Sequence, residues 1–393
     1  MYVHDRPVPT QYRPPLQRGT LKIGAPLAAL IVLGILVLVF LGFMTALDPG
    51  VAILGGLLAS VAIGLVLLAY LWLDRWEPEP PRLLLFAFLW GAGLCTSVAI
   101  VINTVAIAVV GEIATVFVAP VVEEALKGSF LLIMLTGRRR KEMTSLTDCL
   151  VFAGITAAGF AWVEDILYLV QNPDSFGLVA VMRLVFSPFA HPLFTSMTGV
   201  GVFLSLRQKS GGMKALCIIG GFAAAMLLHG IWNGAPTFLG FEGFVLVYAL
   251  FMVPVFAGMI VLAVLSRRSE RKLVVKHLPG LVRDGIVTPG QAACLDSFAH
   301  RKLGRQQAMA LGGPAAKVPY GQLVDAATEL AFVRDRYDRG LADQRLAELH
   351  AELVGSIRQA RGTAPALDQI RPPMAPMQGP PMQGPLPGQG PLR

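Results

Sequence analysis

The 393-residue sequence contains little charge and little cysteine. Charged residues make up 15% of it, and hydrophobic residues make up 54%. Soluble domains carry roughly 25% charged residues. The four cysteines stand singly, without a CxxC pair, whereas a disulfide scaffold needs dense, paired cysteines. With a mean hydropathy of +0.62, the composition excludes both an ordinary soluble domain and a disulfide-stapled one, and it indicates a membrane protein.

Long apolar runs follow one another between residues 22 and 265. A helix needs about 20 apolar residues to cross about 30 Å of hydrocarbon. Eight segments meet this requirement: 22–46, 51–73, 83–110, 113–136, 147–171, 184–206, 213–235 and 242–265. We therefore expect an all-α fold, a polytopic membrane bundle of about eight transmembrane helices. The first run is longer than the h-region of a signal peptide, so it predicts an uncleaved membrane helix.

Lys and Arg are missing from every second connection between these segments, apart from Arg183 at one edge. The connections around Asp48, Glu112 and Asp174 contain none, whereas the alternate connections carry clusters of them. Positively charged loops remain on the cytoplasmic side of a membrane. The pattern predicts a multi-pass protein of the cell membrane with both termini in the cytoplasm.

The composition changes after residue 265. Residues 266–393 contain 18 Lys and Arg against 11 Asp and Glu, which is seven of the eight net positive charges. We expect four regions: a cytoplasmic N-terminal segment 1–20, a transmembrane domain 21–265, a basic, mainly helical cytoplasmic region 266–370, and a Pro/Gly/Met/Gln-rich tail 371–393. The tail cannot bury a core and is predicted to be disordered. No nucleic-acid motif is present, so the lipid bilayer is the expected partner of the basic region.

Polar side chains that can titrate or coordinate recur inside four apolar segments. Ionisable residues are costly within a membrane and by default mark a functional site. The fourth segment carries Glu123, Glu124 and Lys127, the fifth Glu164 and Asp165, the sixth His191, and the seventh His229 with Asn233. In each segment the count to the nearest polar residue at the predicted cytoplasmic edge is 14 to 16 residues. This corresponds to a depth of about 21–24 Å, so the four segments predict a single polar layer inside the bundle.

Helical spacing places some of these groups on common faces. Lys127 lies four residues after Glu123 and three after Glu124, so it can neutralise one of the two adjacent carboxylates. Two neighbouring carboxylates do not both ionise readily, which makes one of them a candidate general base for water. His229 and Asn233 share a face and could both donate hydrogen bonds to a developing oxyanion.

The residues by themselves leave several functions open. Carboxylates and histidines also form proton relays in ion-coupled transporters, although the two halves of the chain contain no matching pair of such segments. A scaffold that recruits partners through its basic region is a further alternative. Zinc is also open, with two glutamates and two histidines as ligands, although the HExxH signature is absent. The ligands of such a zinc site would be Glu123, Glu164, His191 and His229.

At these residues the chain resembles the PrsW family of intramembrane proteases, within the broader group that contains CAAX-processing and bacteriocin-processing enzymes. The resemblance extends over residues 70–236 and follows the predicted segments in order. Its motifs are DRWEPEP at 74–80, APVVEE at 119–124 with Lys127, Phe160 with Glu164, Arg183, HPLFT at 191–195 and HGIWN at 229–233.

The resemblance implies hydrolysis of peptide bonds in a membrane-spanning protein substrate, such as an anti-sigma factor. By analogy with the CAAX proteases, Glu123 would activate the attacking water, and His229 and Asn233 would polarise the scissile carbonyl. A glutamate-activated water without a metal is favoured over zinc. The resemblance also implies that Glu124, Glu164 and His191 complete the catalytic set. Supporting roles are implied for Lys127, Arg183 and Asp165, and at Asp165 the family pattern leads us to expect Asn.

Overall fold

The computed structural model describes residues 26–340 and 344–373. Within these ranges the chain forms helices and no strand, which confirms the all-α prediction. The chain divides into two compact units after Glu270, whereas the composition placed a boundary after residue 265. The predicted segment 1–20 and residues 374–393 of the predicted disordered tail lie outside the described residues.

The first unit is a bundle of helices, most of which are long and apolar. In chain order they are α1 Leu27–Leu47, α2 Pro49–Leu73, α3 Pro81–Val110, α4 Ala114–Met134, α5 Leu146–Gln171, α6 Phe176–Ala180, α7 Ala190–Leu206, α8 Gly211–Val247 and α9 Val253–Arg283, the last of which continues into the second unit. A π-helical turn interrupts α3 at Trp90–Cys95.

Six stretches of the described chain are long and apolar enough to cross a membrane, which confirms a multi-pass membrane protein. The stretch Gly211–Arg283 contains the last two predicted spans, and the backbone breaks between them at Gly240, whose φ is 65°. Helix α4 is not among the six, since Glu123, Glu124 and Lys127 lie within it. The number eight and the cytoplasmic termini stay predictions.

Helix α5 is the central helix of the first unit, with 89% of its apolar window buried. Its first turn is closed by a capping box, in which the Ser145 side chain accepts from the Asp148 amide and the Asp148 side chain accepts from the Ser145 amide. It packs against α2, α3, α4 and α7. Where α5 meets α3, a Cβ added at Gly159 would lie 2.1 Å from Phe88 O, so only glycine permits this approach.

Helix α7 begins six residues later than the predicted sixth segment, at Ala190 rather than at residue 184. Ser187 leaves the helical conformation, with φ −128° and ψ 28°, directly before Pro188. A residue that precedes proline avoids the α region because the proline ring crowds its backbone. His191 therefore lies in the first turn of α7.

The second unit is also helical. Beyond the end of α9 it contains α10 Pro289–Ala293, α11 Phe298–Gly312, α12 Lys317–Asp338 and α13 Gln344–Thr363. Its core is formed by fully buried side chains, among them Tyr320, Leu323, Leu330 and Ile357. These helices lie within residues 266–370, for which the composition predicts a mainly helical region.

Candidate active site

The polar side chains predicted to share one layer lie together in the first unit. Four packed helices supply them: α4 with Glu123, Glu124 and Lys127, α5 with Glu164 and Asp165, α7 with His191, and α8 with His229. The carboxylates of α4 and both imidazoles are almost fully buried. Arg183 joins them from the segment between α6 and α7.

Glu124 is the anchor of this cluster, because both of its oxygens already accept hydrogen bonds. Oε1 lies 2.6 Å from Lys127 Nζ and 3.1 Å from His229 Nδ1. Oε2 accepts from Thr195 Oγ1 at 2.8 Å. Glu124 is completely buried, so its contacts fix the positions of Lys127 and His229 and leave it no free oxygen for a reaction.

Glu123 differs, because one of its oxygens is free. Oε1 accepts from Asn103 Nδ2 at 3.0 Å. Oε2 is buried without a hydrogen-bond partner, although Lys127 Nζ lies 3.9 Å away and His229 Nε2 lies 3.7 Å away. A buried carboxylate oxygen without a partner is costly, and such an oxygen marks a place where a hydrogen-bond donor or a cation binds.

The tautomer of His229 follows from its contact with Glu124. A carboxylate accepts, so Nδ1 carries the hydrogen that it donates to Glu124. Nε2 is then an acceptor, and it faces Glu123 Oε2, which is also an acceptor. In this arrangement His229 has no hydrogen on Nε2 to give to an oxyanion, so its contribution on that side is to accept.

His191 is held from both sides. Its Nε2 lies 2.8 Å from Glu164 Oε2, and its Nδ1 lies 3.1 Å from Lys127 Nζ. An ammonium group only donates, so Nδ1 accepts from Lys127 and Nε2 donates to Glu164. The ring of His191 stands nearly perpendicular to that of His229, with centroids 5.1 Å apart.

Arg183 holds the two acids of α5. Its guanidinium pairs with Glu164, and its Nε donates to Asp165 Oδ1 at 2.5 Å. The same group lies over the ring of Tyr168, 4.0 Å from the ring centroid. Asp165, which departs from the family pattern, is therefore neutralised by a cation that also supports Glu164.

The cluster contains more carboxylates than lysine and arginine side chains. Its members are the carboxylates of Glu123, Glu124, Glu164 and Asp165 and the cations of Lys127 and Arg183. With all carboxylates ionised and both histidines neutral, four negative charges face two positive charges. The cluster then has an excess of two negative charges, which favours bound protons or a divalent cation.

Three of the four predicted zinc ligands lie within ligating range of one another. One ligand atom from each of Glu123, His191 and His229 lies within 4.8 Å of the others. Glu123 Oε2 and His229 Nε2 are free acceptors, and Glu124 orients His229 as outer-shell carboxylates do in metal sites. His191 fits only after one of its two hydrogen bonds is exchanged. Glu164, the fourth predicted ligand, is paired with Arg183 and His191 instead.

Asn233 lies one helical turn beyond His229 on α8. Its Nδ2 donates to Thr115 O of α4 at 2.9 Å, so one amide hydrogen joins the two helices and the second remains for another acceptor. Close by, an apolar groove of about 680 Å³ runs between α4 and α8. Pro120, Val121 and Gly230, which line this groove, are near neighbours in sequence of Glu123 and His229.

The DRWEPEP motif of the resemblance is not part of this cluster. It lies between α2 and α3, where Glu79 N donates to Asp74 Oδ2 at 2.8 Å. Burial, followed by the proximity of Asp148 in the first turn of α5, raises the pKa of Glu79 well above its usual range. Asp148 and Glu164 are 16 residues apart on one helix, which is about 24 Å.

Sequence reasoning missed two residues that contact the paired glutamates. Thr195 lies one turn after His191 and donates to Glu124. Asn103 donates to Glu123 from α3. The signal for Asn103 was present, since it is the sole amide side chain of the apolar segment 83–110. An uncharged residue is not found by a search for ionisable groups.

Comparison with known proteins bears directly on this arrangement. Residues 79–259 match a family described as PrsW family intramembrane metalloprotease. The chain is 29% identical over 219 residues to Protease PrsW of Oceanobacillus iheyensis, which covers 55% of this chain and 97% of that protein. It is 26% identical over 179 residues to Protease PrsW of Geobacillus kaustophilus, covering 44% of this chain and 76% of that protein. No solved structure gives a significant match.

The family match runs from just before α3 to the first turns of α9 and so contains every residue of the polar cluster. It also decides between the protease and the transporter that the residues by themselves left open. Through these residues the chain is similar to the PrsW family of intramembrane proteases, and this similarity supports a protease.

Proposed function

We propose that the cluster hydrolyses peptide bonds with a water molecule that Glu123 activates. The observation that supports this most is the pair of facing acceptors, Glu123 Oε2 and His229 Nε2, 3.7 Å apart with no hydrogen between them. A water seated there donates one hydrogen to each. Its oxygen lone pairs then point away from both groups and are free to attack a carbonyl carbon.

The bonds change in two steps. As the water oxygen bonds to the carbonyl carbon, one water proton passes to Glu123 Oε2 and the carbonyl oxygen becomes an oxyanion. Lys127 has a third ammonium hydrogen and Asn233 a second amide hydrogen for this oxyanion. When the carbon–nitrogen bond breaks, the proton passes from Glu123 to the leaving nitrogen. The products are a carboxyl group and an amine.

Zinc is the alternative, and the family description, which names a metalloprotease, favours a metal ion. Glu123, His191 and His229 would hold the ion, which when bound polarises the carbonyl and lowers the pKa of its water to about 7. The chain's own hydrogen bonds favour the metal-free reading, because both nitrogens of His191 already have partners in Glu164 and Lys127. In a zinc site His191 would have to give up one of these two hydrogen bonds.

The proposed substrate is a protein segment that reaches this site from the bilayer. Three of the four helices that form the site, α5, α7 and α8, lie in stretches long and apolar enough to cross the membrane, so a substrate that enters from the bilayer can reach it. Within the class of membrane-associated proteins we propose a single-span anti-sigma factor, on the strength of the family resemblance. Substrate identity is tested separately from chemistry, by presenting several single-span proteins to the same reconstituted enzyme.

Cleavage of a single-span protein in proteoliposomes tests the role of Glu123. Removal of a general base lowers rates by about 10²–10⁴-fold, so Glu123→Gln should lose cleavage to that extent. Glu112→Gln makes the same chemical change at an exposed position before α4 and should cleave like the wild type. Normal cleavage by Glu123→Gln would overturn the proposed role of Glu123. Normal cleavage by Glu123→Gln, Glu124→Gln and His229→Ala alike would overturn the assignment of this cluster as the active site.

Exhaustive chelation distinguishes the two chemistries. We expect full activity after chelation and far less than one zinc per chain in the purified protein. Activity that disappears with the metal, returns on addition of zinc and is accompanied by one zinc per chain would establish the metalloprotease instead.

A further inference from the structure

Asn103 is a polar residue in an otherwise lipid-facing part of α3. Its neighbours Val101, Ile102, Thr104 and Val105 are exposed on the bundle surface, whereas Asn103 is half-buried. An amide in a membrane segment needs a hydrogen-bond partner, because the lipid offers none. The partner is Glu123 of α4, whose Oε1 accepts from Asn103 Nδ2 at 3.0 Å.

The orientation of the amide follows from the chemistry of its partner. The opposite orientation would place Oδ1 against a carboxylate oxygen, and two acceptors repel each other. With Nδ2 directed at Glu123, Asn103 Oδ1 is buried without a hydrogen-bond partner. A residue kept only to join α3 to α4 would be expected to use both ends of its amide. In Asn103 only the Nδ2 group, which faces Glu123, makes a hydrogen bond.

The hydrogen bond from Asn103 gives the two oxygens of Glu123 different roles. Oε1 is restrained by the amide, and Oε2 is left facing His229 Nε2 at 3.7 Å. Lys127 Nζ is 3.9 Å from Oε2, too far for a hydrogen bond. A carboxylate without the amide could rotate onto this ammonium group and form a full ion pair, which would occupy the free oxygen.

We propose that Asn103 is a positioning residue for peptide hydrolysis, which holds Glu123 by Oε1 so that Oε2 stays free to take a proton from water. This inference rests on the proposed role of Glu123. It predicts that loss of the amide lowers the turnover number and leaves substrate binding nearly unchanged, since Asn103 acts through Glu123 and not through the substrate.

The test compares kcat and KM for cleavage of a single-span substrate in proteoliposomes. Asn103→Leu has a similar size but no amide. Loss of a residue that orients a reacting group lowers activity by about 10–100-fold, and we expect this fall in kcat with KM changed less than about twofold. Asn103→Gln retains an amide on a longer side chain and should recover part of the rate. Thr104→Val removes a polar group from the next, exposed position of α3 and should behave like the wild type.

Glu123→Gln in the same assay separates the two proposals. If Glu123→Gln cleaves normally, the proposed role of Glu123 fails. If Glu123→Gln is inactive while Asn103→Leu matches Thr104→Val, the role of Glu123 stands and that of Asn103 is overturned. If Asn103→Leu does not fold, Asn103→Ala, which also lacks the amide and adds no bulk, takes its place. An equal fall in kcat for Leu and Gln variants, or a rise in KM alone, would also contradict the inference.

Discussion

At the scale of single residues, charge in this site is paired by cations that each serve several acids. Lys127 is completely buried and contacts Glu124, His191 and, at a longer distance, Glu123. Arg183 pairs with Glu164 and Asp165. A buried charge is tolerated only when it is paired and hydrogen-bonded, so these two cations allow several acids to share a small volume inside the membrane.

Asp165→Asn tests whether the departure from the family pattern matters. Asp165 Oδ1 accepts from Arg183 Nε, and an Asn Oδ1 can accept the same hydrogen bond. We therefore expect Asp165→Asn to keep cleavage within about threefold of the wild type, which corresponds to less than about 1 kcal/mol in the barrier. Asp165→Leu, which removes the acceptor, is the matched control and should lose activity. A larger loss in Asp165→Asn would show that the negative charge itself is needed.

Much of the site could be predicted at this scale, but not its hydrogen-bond partners. Depth counting grouped the acids and histidines, because residues at equal distances from a membrane edge meet if their helices pack. It could not show that Glu124 is satisfied and Glu123 is not. That distinction depends on the rotation of each helix about its axis, which brings Thr195 to one glutamate and Asn103 to the other.

At the scale of helices, close approach of backbones fixes where the acids of α5 lie. Gly91 in the π-helical turn of α3 and Gly159 of α5 mark this crossing, where an added Cβ would lie 1.9 Å from Thr156 O and 2.1 Å from Phe88 O respectively. Glu164 lies five residues after Gly159 on the same helix. Separation of α3 from α5 would therefore also move Glu164, which holds His191.

Gly159→Ala should destabilise the protein and impair cleavage. Overpacking of a close contact costs about 1–3 kcal/mol, and a neighbouring backbone oxygen cannot move as a side chain can. The melting temperature of the purified protein in detergent, together with cleavage, measures both effects. Gly64→Ala on α2 is the control, because an added Cβ there meets nothing within 4 Å, and alanine favours helix formation. Equal melting temperatures for the two variants would contradict this account of the crossing.

The lengths of the apolar segments predicted where most helices lie, but they did not predict the interruptions within and between helices. The predicted segments correspond to α1, α2, α3, α4 and α5 within a few residues, whereas α8 continues to Val247, twelve residues beyond the predicted end at 235. The π-helical turn at Trp90–Cys95 has no signature in an apolar run. Ser187 and Pro188 end one helical segment before α7 starts at Ala190, so the start predicted at residue 184 was wrong by six residues.

At the scale of the whole molecule, every residue of the candidate site belongs to the first unit. The division falls after Glu270, and the family match ends at residue 259. The second unit has its own buried core, and most of the net positive charge of the chain lies beyond residue 265. Catalytic and basic regions are thus distinct in sequence, in charge and in packing.

Deletion of residues 273–393 should leave peptide hydrolysis intact. All groups proposed to act on the substrate remain, so kcat should stay within a few-fold of the full chain in proteoliposomes. Replacement of Lys209 by Met in the full chain, an exposed charge change in the first unit, controls for an effect of charge alone. Loss of turnover in a truncated protein that still has a cooperative melting transition would show that the second unit is required for catalysis.

Helix α4, with three ionisable residues buried among apolar ones, also has a consequence for biosynthesis. A charged residue at the centre of a helix raises the free energy of insertion by about 2.5–3.5 kcal/mol, so we expect α4 to enter the bilayer poorly by itself. The nascent chain delivers α3 first, so Asn103 is already in place when Glu123 emerges, and Lys127 follows Glu124 within one turn. His191 and His229 are synthesised 64 and 105 residues after their partners Lys127 and Glu124. Until His191 and His229 are synthesised, the contacts of Asn103 with Glu123 and of Lys127 with Glu124 would help to keep α4 in the membrane.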